Sequence, residues 1–135
     1  MALTPRTRNN DFFSDFGSNL EQIPGRQDIA RRVNEQAVRD SIRNLVLTDR
    51  GERLFQPDVG CDIRGSLFEN MDQNTILILK ENIKTTIKTY EPRCDVKDVL
   101  VNANIDRNEV LVKIIFSVIN TNRNLSLTID LSRVR

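Results

Sequence analysis

The chain has no histidine, no tryptophan, two cysteines and a single tyrosine among its 135 residues. Without histidine it has no imidazole to ligate a metal, and no base for a serine or cysteine nucleophile of the triad type. Cys61 and Cys94 have 32 residues between them, which is not a zinc-site spacing. Each lies beside apolar residues and reads as a small buried side chain. No cofactor and no metal is expected. Charge of one sign is also missing: 20 basic against 19 acidic side chains leave a formal +1. So small a net charge gives no pull towards nucleic acid or a membrane surface. No apolar run nears the about 20 residues of a membrane span, and no secretory leader is evident. The expectation is a soluble chain made in a reducing cytoplasm. Aromatics are scarce at 5% and apolar residues make up 39%, so Ile, Val and Leu must build a modest core within one domain.

Residues 1–27 hold Pro5, Gly17, Pro24 and Gly25 among many Asn, Ser and Arg residues, with no helical period. They read as an extended N-terminal arm. Yet Phe12, Phe13 and Phe16 are half of the six Phe. A disordered tail rarely concentrates aromatics; either the rings fold back in cis or they dock on a neighbour. Residues 28–135 read as a single α+β domain.

Asp28 is placed to cap a helix. Ile29, Val33, Ala37, Ile42, Leu45 and Val46 then recur near the helical period, with Val38 widening the stripe, for about five to six turns. Arg26, Arg31, Arg32, Arg39, Arg43 and Arg50 make this region basic: either a solvated face or a surface for an acidic partner. Gly51 can close the helix in the left-handed region. A compact loop follows, punctuated by Pro57, Gly60 and Gly65 and weighted by Leu54, Phe55, Val59, Leu67 and Phe68. Ile63 to Glu69 can form a short helical turn. Asp72 or Asn70 can cap a second long helix, in which Ile76, Leu79, Ile83, Ile87 and Tyr90 are spaced 3, 4, 4 and 3. Lys80, Lys84 and Lys88 take another face. Pro92 stops the helix by disfavouring helical geometry at Glu91.

Three alternating segments complete the chain. Val99, Val101, Ala103 and Ile105 line one, and Val110, Val112, Ile114, Phe116 and Val118 the next. Leu125, Leu127, Ile129 and Leu131 line the last. Asp106 to Glu109 and Thr121 to Asn124 read as hairpin turns. The pattern predicts two main helices packed on a three-stranded antiparallel meander. Such a sheet has two edges, and an edge is a template for another strand. The middle segment is apolar on its second face too, through Leu111, Ile115 and Ile119. Either a partner covers that face or the arm does.

Glu91, Pro92 and Arg93 are the main chemical candidates. A carboxylate ending a helix opposes the helix dipole by about 0.3–1 kcal/mol. Glu91 is therefore a solvated residue, a positioning partner of Arg93, or a contact for a partner's cation. Arg93 offers a planar fork suited to a carboxylate or to helix-end carbonyls.

The ordered set of residues resembles the baseplate wedge and sheath-initiator family of contractile tails, which includes a type VI secretion baseplate subunit. Ser14-Asp15-Phe16, then residues 37–48, then Gly51-Glu52-Arg53, Phe55, Pro57, Gly60-Cys61, Leu67-Phe68-Glu69 and finally Glu91-Pro92-Arg93 occur in the family's order. Leu54, Val59 and Cys94 depart from its usual residues. The resemblance implies a structural virion protein of the tail baseplate, assembled from the host cytoplasm. It implies that Glu91, Pro92 and Arg93 hold the core bundle of the large wedge subunits. It implies that the sheet, through Leu125, Leu127, Ile129 and Leu131, exchanges strands with the tail sheath protein and starts sheath assembly. Tail tube or hub is a further neighbour; nucleic acid and membrane are not. Phe12, Phe13 and Phe16 would dock the arm.

Three other readings compete. One is a type VI secretion subunit with the same role. Another is a regulatory adaptor with the same domain, which would not need the arm. The third is a baseplate lysozyme, since some relatives bear that description. Glycoside hydrolysis uses two carboxylates about 5–9.5 Å apart; Asp58, Asp62, Glu69 and Asp72 are the candidates. No spacing singles out a pair, so the expectation is that the protein is not an enzyme.

Overall fold

The computed structural model describes residues 11–68, 72–104, 109–119, 121 and 123–132. The chain divides into two compact units, Met1–Ala37 and Val38–Arg135.

In the first unit, β1 (Ser14–Phe16) pairs antiparallel with β2 (Arg31–Val33), Asp15 opposite Arg32. A bridge between Gln22 and Ile29 continues the pairing, and the Ala30 N–H donates to the Glu21 carbonyl at 2.7 Å. Gly25, at φ 80°, lies in the loop between Gln22 and Ile29. This differs from the helix expected to start after Asp28. The Asp28 carboxylate accepts from the N–H of Ile29, its immediate neighbour, and not from a later turn as a cap would. Ile29 and Val33 are four residues apart, which suits a helix, but residues so spaced also share one face of an extended strand. Backbone pairing decided for strand. Helix α1 (Asn34–Leu47) starts instead at Asn34, whose φ of 49° breaks the chain between strand and helix. Asn tolerates that conformation better than most side chains. Its Oδ1 accepts from the Phe12 N–H at 2.9 Å.

In the second unit, α1 is followed by the short α2 (Ile63–Ser66) and the long α3 (Gln73–Tyr90). Asp72 is the residue before α3, extended at φ −76°, and its carbonyl accepts from the Ile76 N–H at 3.0 Å. Asn70 and Glu69 lie outside the described residues. Strands β3 (Cys94–Asn104), β4 (Glu109–Val118) and β5 (Asn124–Ser132) form an antiparallel sheet in the order β3-β4-β5. This is the α+β arrangement expected. Of the first expected turn, Asp106 to Glu109, residues 106–108 lie outside the described residues and Glu109 begins β4.

The register explains the core. Val99, Ile114 and Leu127 lie abreast, as do Val101, Val112 and Ile129. All six are buried. A bulge between Val96 and Asp98 shifts the register by one residue. It lets Cys94 and Val96, at even positions, share the inner face with Val99 and Val101, at odd ones. Val38, Ile42, Leu45 and Val46 from α1 and Leu79, Ile83 and Ile87 from α3 are buried as well. Phe116 is the largest fully buried side chain. Both cysteines are free and buried, as expected. Burial pushes the Cys94 thiol up to about 12, helped by the neighbouring charges of Glu91 and Asp95.

Phe116→Ala is expected to cost about 3–5 kcal/mol, whereas Thr128→Ala on the solvent face should cost little. Urea unfolding followed by circular dichroism would check both.

Candidate functional site

The turn from α3 into β3 is where polar chemistry enters the core. Glu91 ends α3, its N–H donating to the Ile87 carbonyl at 2.8 Å. Its backbone leaves helical space at φ −126°, ψ 75°, as the following Pro92 demands. The side chain is buried, with 4% exposed. The Arg93 guanidinium closes on this carboxylate with two bonds: Nε donates to Oε1 at 2.6 Å and Nη2 to Oε2 at 2.8 Å. From α1, the Ser41 hydroxyl donates to the same Oε2. Pro92 is exposed, and 26% of the Arg93 side chain remains accessible.

Burial alone would raise the Glu91 pKa. The hydrogen bonds from Arg93 and Ser41, with the Arg93 charge, outweigh that and hold the carboxyl below its ordinary 4.5. Of the roles open to Glu91, the geometry displays the positioning one: the carboxylate orients Arg93. It also removes the penalty of a bare carboxylate at a helix end, since a cation sits beside it. Backbone bonds stitch the turn into the sheet, with the Ile119 N–H donating to the Arg93 carbonyl at 3.0 Å and the Cys94 N–H to the Glu91 carbonyl at 3.4 Å.

Ser41 is a partner of Glu91 that the sequence pattern did not single out. Its signal was available: it sits four residues from Ala37 and four from Leu45, inside the apolar stripe of α1. A short hydroxyl on a buried face implies a buried acceptor.

The loop before α2 is held tightly. Gly60 has φ 134°, and a Cβ there would stand 2.5 Å from the Thr48 carbonyl oxygen, so glycine is required. The Cys61 N–H donates to that oxygen at 3.1 Å, and the Tyr90 hydroxyl to the Asp58 carbonyl at 3.3 Å. A cleft of about 270 Å³ lies beside Asp58, walled by Arg50, Thr85, Thr86, Thr89 and Tyr90. Among the described residues it contains one carboxylate, Asp58. Asp62 and Asp72 are exposed, and Glu69 is outside the described residues. Among the described residues no group of three acidic, Cys or His side chains could hold a metal ion. No helix among them is long and apolar enough to cross a membrane.

Leu127 and Ile129 are buried and Leu125 and Leu131 half-buried, all facing inwards; what β5 presents sideways is its backbone. Phe12 and Phe16 are exposed at 63% and 66%, while Phe13 is half-buried.

The family model for the baseplate wedge protein gp25 matches residues 32–123. The chain belongs to that family. The baseplate wedge protein gp25 of Enterobacteria phage T4 is 32% identical over 111 residues, covering 82% of this chain and 83% of the phage protein. In three dimensions the chain is similar to a putative tail lysozyme from Geobacter sulfurreducens. The TM-score is 0.66 at 26% identity, over 75% of this chain and 92% of the other. It shares its fold with a chain of the anti-feeding prophage baseplate, at a TM-score of 0.63 and 19% identity, over 87% of this chain and 83% of that one. A chain of the postcontracted pyocin R2 baseplate gives 0.54 and 16%, over 81% and 95%. As a wedge-family member, this protein is a structural component of the tail baseplate.

Arg93→Ala leaves a buried carboxylate with Ser41 as its remaining described partner, and is expected to cost about 1.5–3 kcal/mol. Arg93→Lys should recover only part, since an ammonium cannot make both bonds. The Glu91 carboxyl is more acidic in the fold than in the unfolded chain. Its stabilisation is therefore present above about pH 4.5 and is lost as pH falls through the folded value. Glu91→Gln should be less stable near neutrality and should show a flatter acid limb than the parent. Thermal melts from pH 3 to pH 7 would read both effects.

Proposed function

We propose that the protein is a wedge component of a contractile tail that binds the core bundle of the large wedge subunits and nucleates the sheath by strand exchange at β5. The supporting observation is the sheet order: β5 is an outer strand whose side chains already fill the core. Its backbone can therefore accept another strand without rearranging the packing, which is how strand addition gains affinity from main-chain bonds. Leu125, Leu127, Ile129 and Leu131 act by fixing β5 in place, not by touching the incoming chain. Tail sheath protein supplies the added strand in this reading.

The Glu91-Pro92-Arg93 turn is the anchor to the wedge bundle. Pro92 holds it rigid and exposed, and Glu91 fixes the direction of Arg93. The exposed portion of Arg93 meets the partner at the rim of the contact. In this reading the arm with Phe12, Phe13 and Phe16 adds a second point of attachment, and tail tube or hub is a further neighbour.

The similarity to a putative tail lysozyme raises a second reading, a glycoside hydrolase. Among the described residues the cleft at Asp58 offers a single carboxylate and one aromatic ring, Tyr90, where sugar hydrolysis uses a carboxylate pair. The geometry favours the structural role.

Proline at those positions of 125–131 whose N–H points away from β4 should leave the melt unchanged and stop sheath rings from assembling on purified baseplates. Rings growing normally on such baseplates, by electron microscopy, would rule out this edge. The purified protein is expected to leave peptidoglycan uncleared; clearing abolished by Asp58→Asn would establish the hydrolase instead.

A further inference from the structure

The loop joining α1 to α2 ends in two large apolar side chains that the domain does not bury. Leu54 is 90% exposed and Phe55 97%. Their hydrophobicity makes them apolar weight for the loop, yet the structure leaves both side chains in solvent. Their position is built, not loose. The Gly51 N–H donates to the Pro57 carbonyl at 2.8 Å, closing the loop across its neck. The Gln56 N–H donates to the Arg53 carbonyl at 3.2 Å, which makes Leu54 and Phe55 the two central residues of a turn. The Val59 N–H donates to the Gln56 carbonyl at 3.2 Å, and the Asp49 N–H to Glu52 Oε2 at 3.0 Å. Further along the same loop Val59, Gly60 and Cys61 are buried.

We infer that Leu54 and Phe55 are a preformed anchor that inserts into an apolar pocket on a neighbouring baseplate protein. Several observations select that occupant. Consecutive apolar residues held at a turn by backbone bonds lose little further freedom on binding, the condition under which a small contact yields affinity. A Phe buries about 150–250 Å², so the tip falls well short of the about 800 Å² per partner of a stable interface. It therefore does not dimerise the chain alone and serves as the central anchor of a larger contact. The charges around it are of both signs: Glu52 and Arg53 at the tip, Arg50 and Asp58 at the base. A lipid-binding loop would be polybasic; a mixed polar rim around an apolar centre is the anatomy of a protein–protein hot spot. The inference rests on the chain's place in the wedge family and is independent of strand exchange at β5.

The test places p-benzoylphenylalanine at position 55 of the full chain and irradiates baseplates assembled from the purified proteins of the same tail. A crosslink to one other baseplate protein is expected. Phe55→Asp should weaken incorporation roughly thirtyfold or more with no change in melting temperature. A crosslink confined to a second copy, or to the chain's own N-terminal segment, would overturn the inference. So would baseplates that contain the chain yet give no crosslink, a fall in the melting temperature of Phe55→Asp, or flotation with phosphatidylcholine–phosphatidylglycerol vesicles that Phe55→Asp abolishes. Sheath assembly on the same particles, read separately with the β5 proline variants, keeps failure of this contact distinct from failure of sheath nucleation.

Discussion

The carboxylate of Glu91 ties together three parts of the second unit that the chain brings in from different places. Ser41 comes from α1, Glu91 from the end of α3 and Arg93 from the residue before β3. An ionised carboxylate in an apolar interior costs several kcal/mol unless charge and hydrogen bonds answer it. Here both are supplied, and both need the native arrangement. The direction of the chain as it leaves α3 is thereby fixed, and with it the start of β3. A hydrophobic contact at the same place would contribute energy but no comparable directional constraint. A pair this dependent on geometry specifies arrangement more than it adds stability.

From that turn the sheet follows. The Arg93 carbonyl continues the ladder to Ile119, and the bulge after Val96 sets the apolar residues of β3 facing inwards. The inner faces of all three strands are then consumed by the core. Among the described residues, what the core leaves outside includes backbone along the outer strands β3 and β5, the far face with Leu100 and Leu111 each 38% exposed, part of Arg93 and the turn at Phe55. A packed interior with apolar and backbone groups left outside it suits a component of a larger structure, and membership of the baseplate wedge family agrees with that.

Much of this was legible beforehand where periodicity was unopposed. The spacing of Ile76, Leu79, Ile83 and Ile87 admits one helical face, and α3 lies there. The alternation from Val110 to Val118 and from Leu125 to Leu131 produced the strands with their inner faces as read. The start of α1 was misread because Ile29 and Val33 satisfy the helical and the extended period alike. The contest was decided by pairing with residues some fifteen positions earlier, such as Phe16 with Arg31, which no local window can weigh. Leu54 and Phe55 were misjudged for a related reason. Hydrophobicity says what a side chain would prefer, and only the neighbouring turns decide where it points.

The amino-acid order by itself determined the elements with a single consistent period, the breaks at Gly60 and Pro92, and the absence of imidazole chemistry. These are properties of a residue and its near neighbours, written in spacing and backbone sterics. Tertiary structure alone decided that Glu91 is buried rather than solvated, that Ser41 is its partner from fifty positions away, and that Phe55 stands in solvent. Those are facts about which distant atoms share a volume, and the energy of a charge or a ring depends on that shared surrounding.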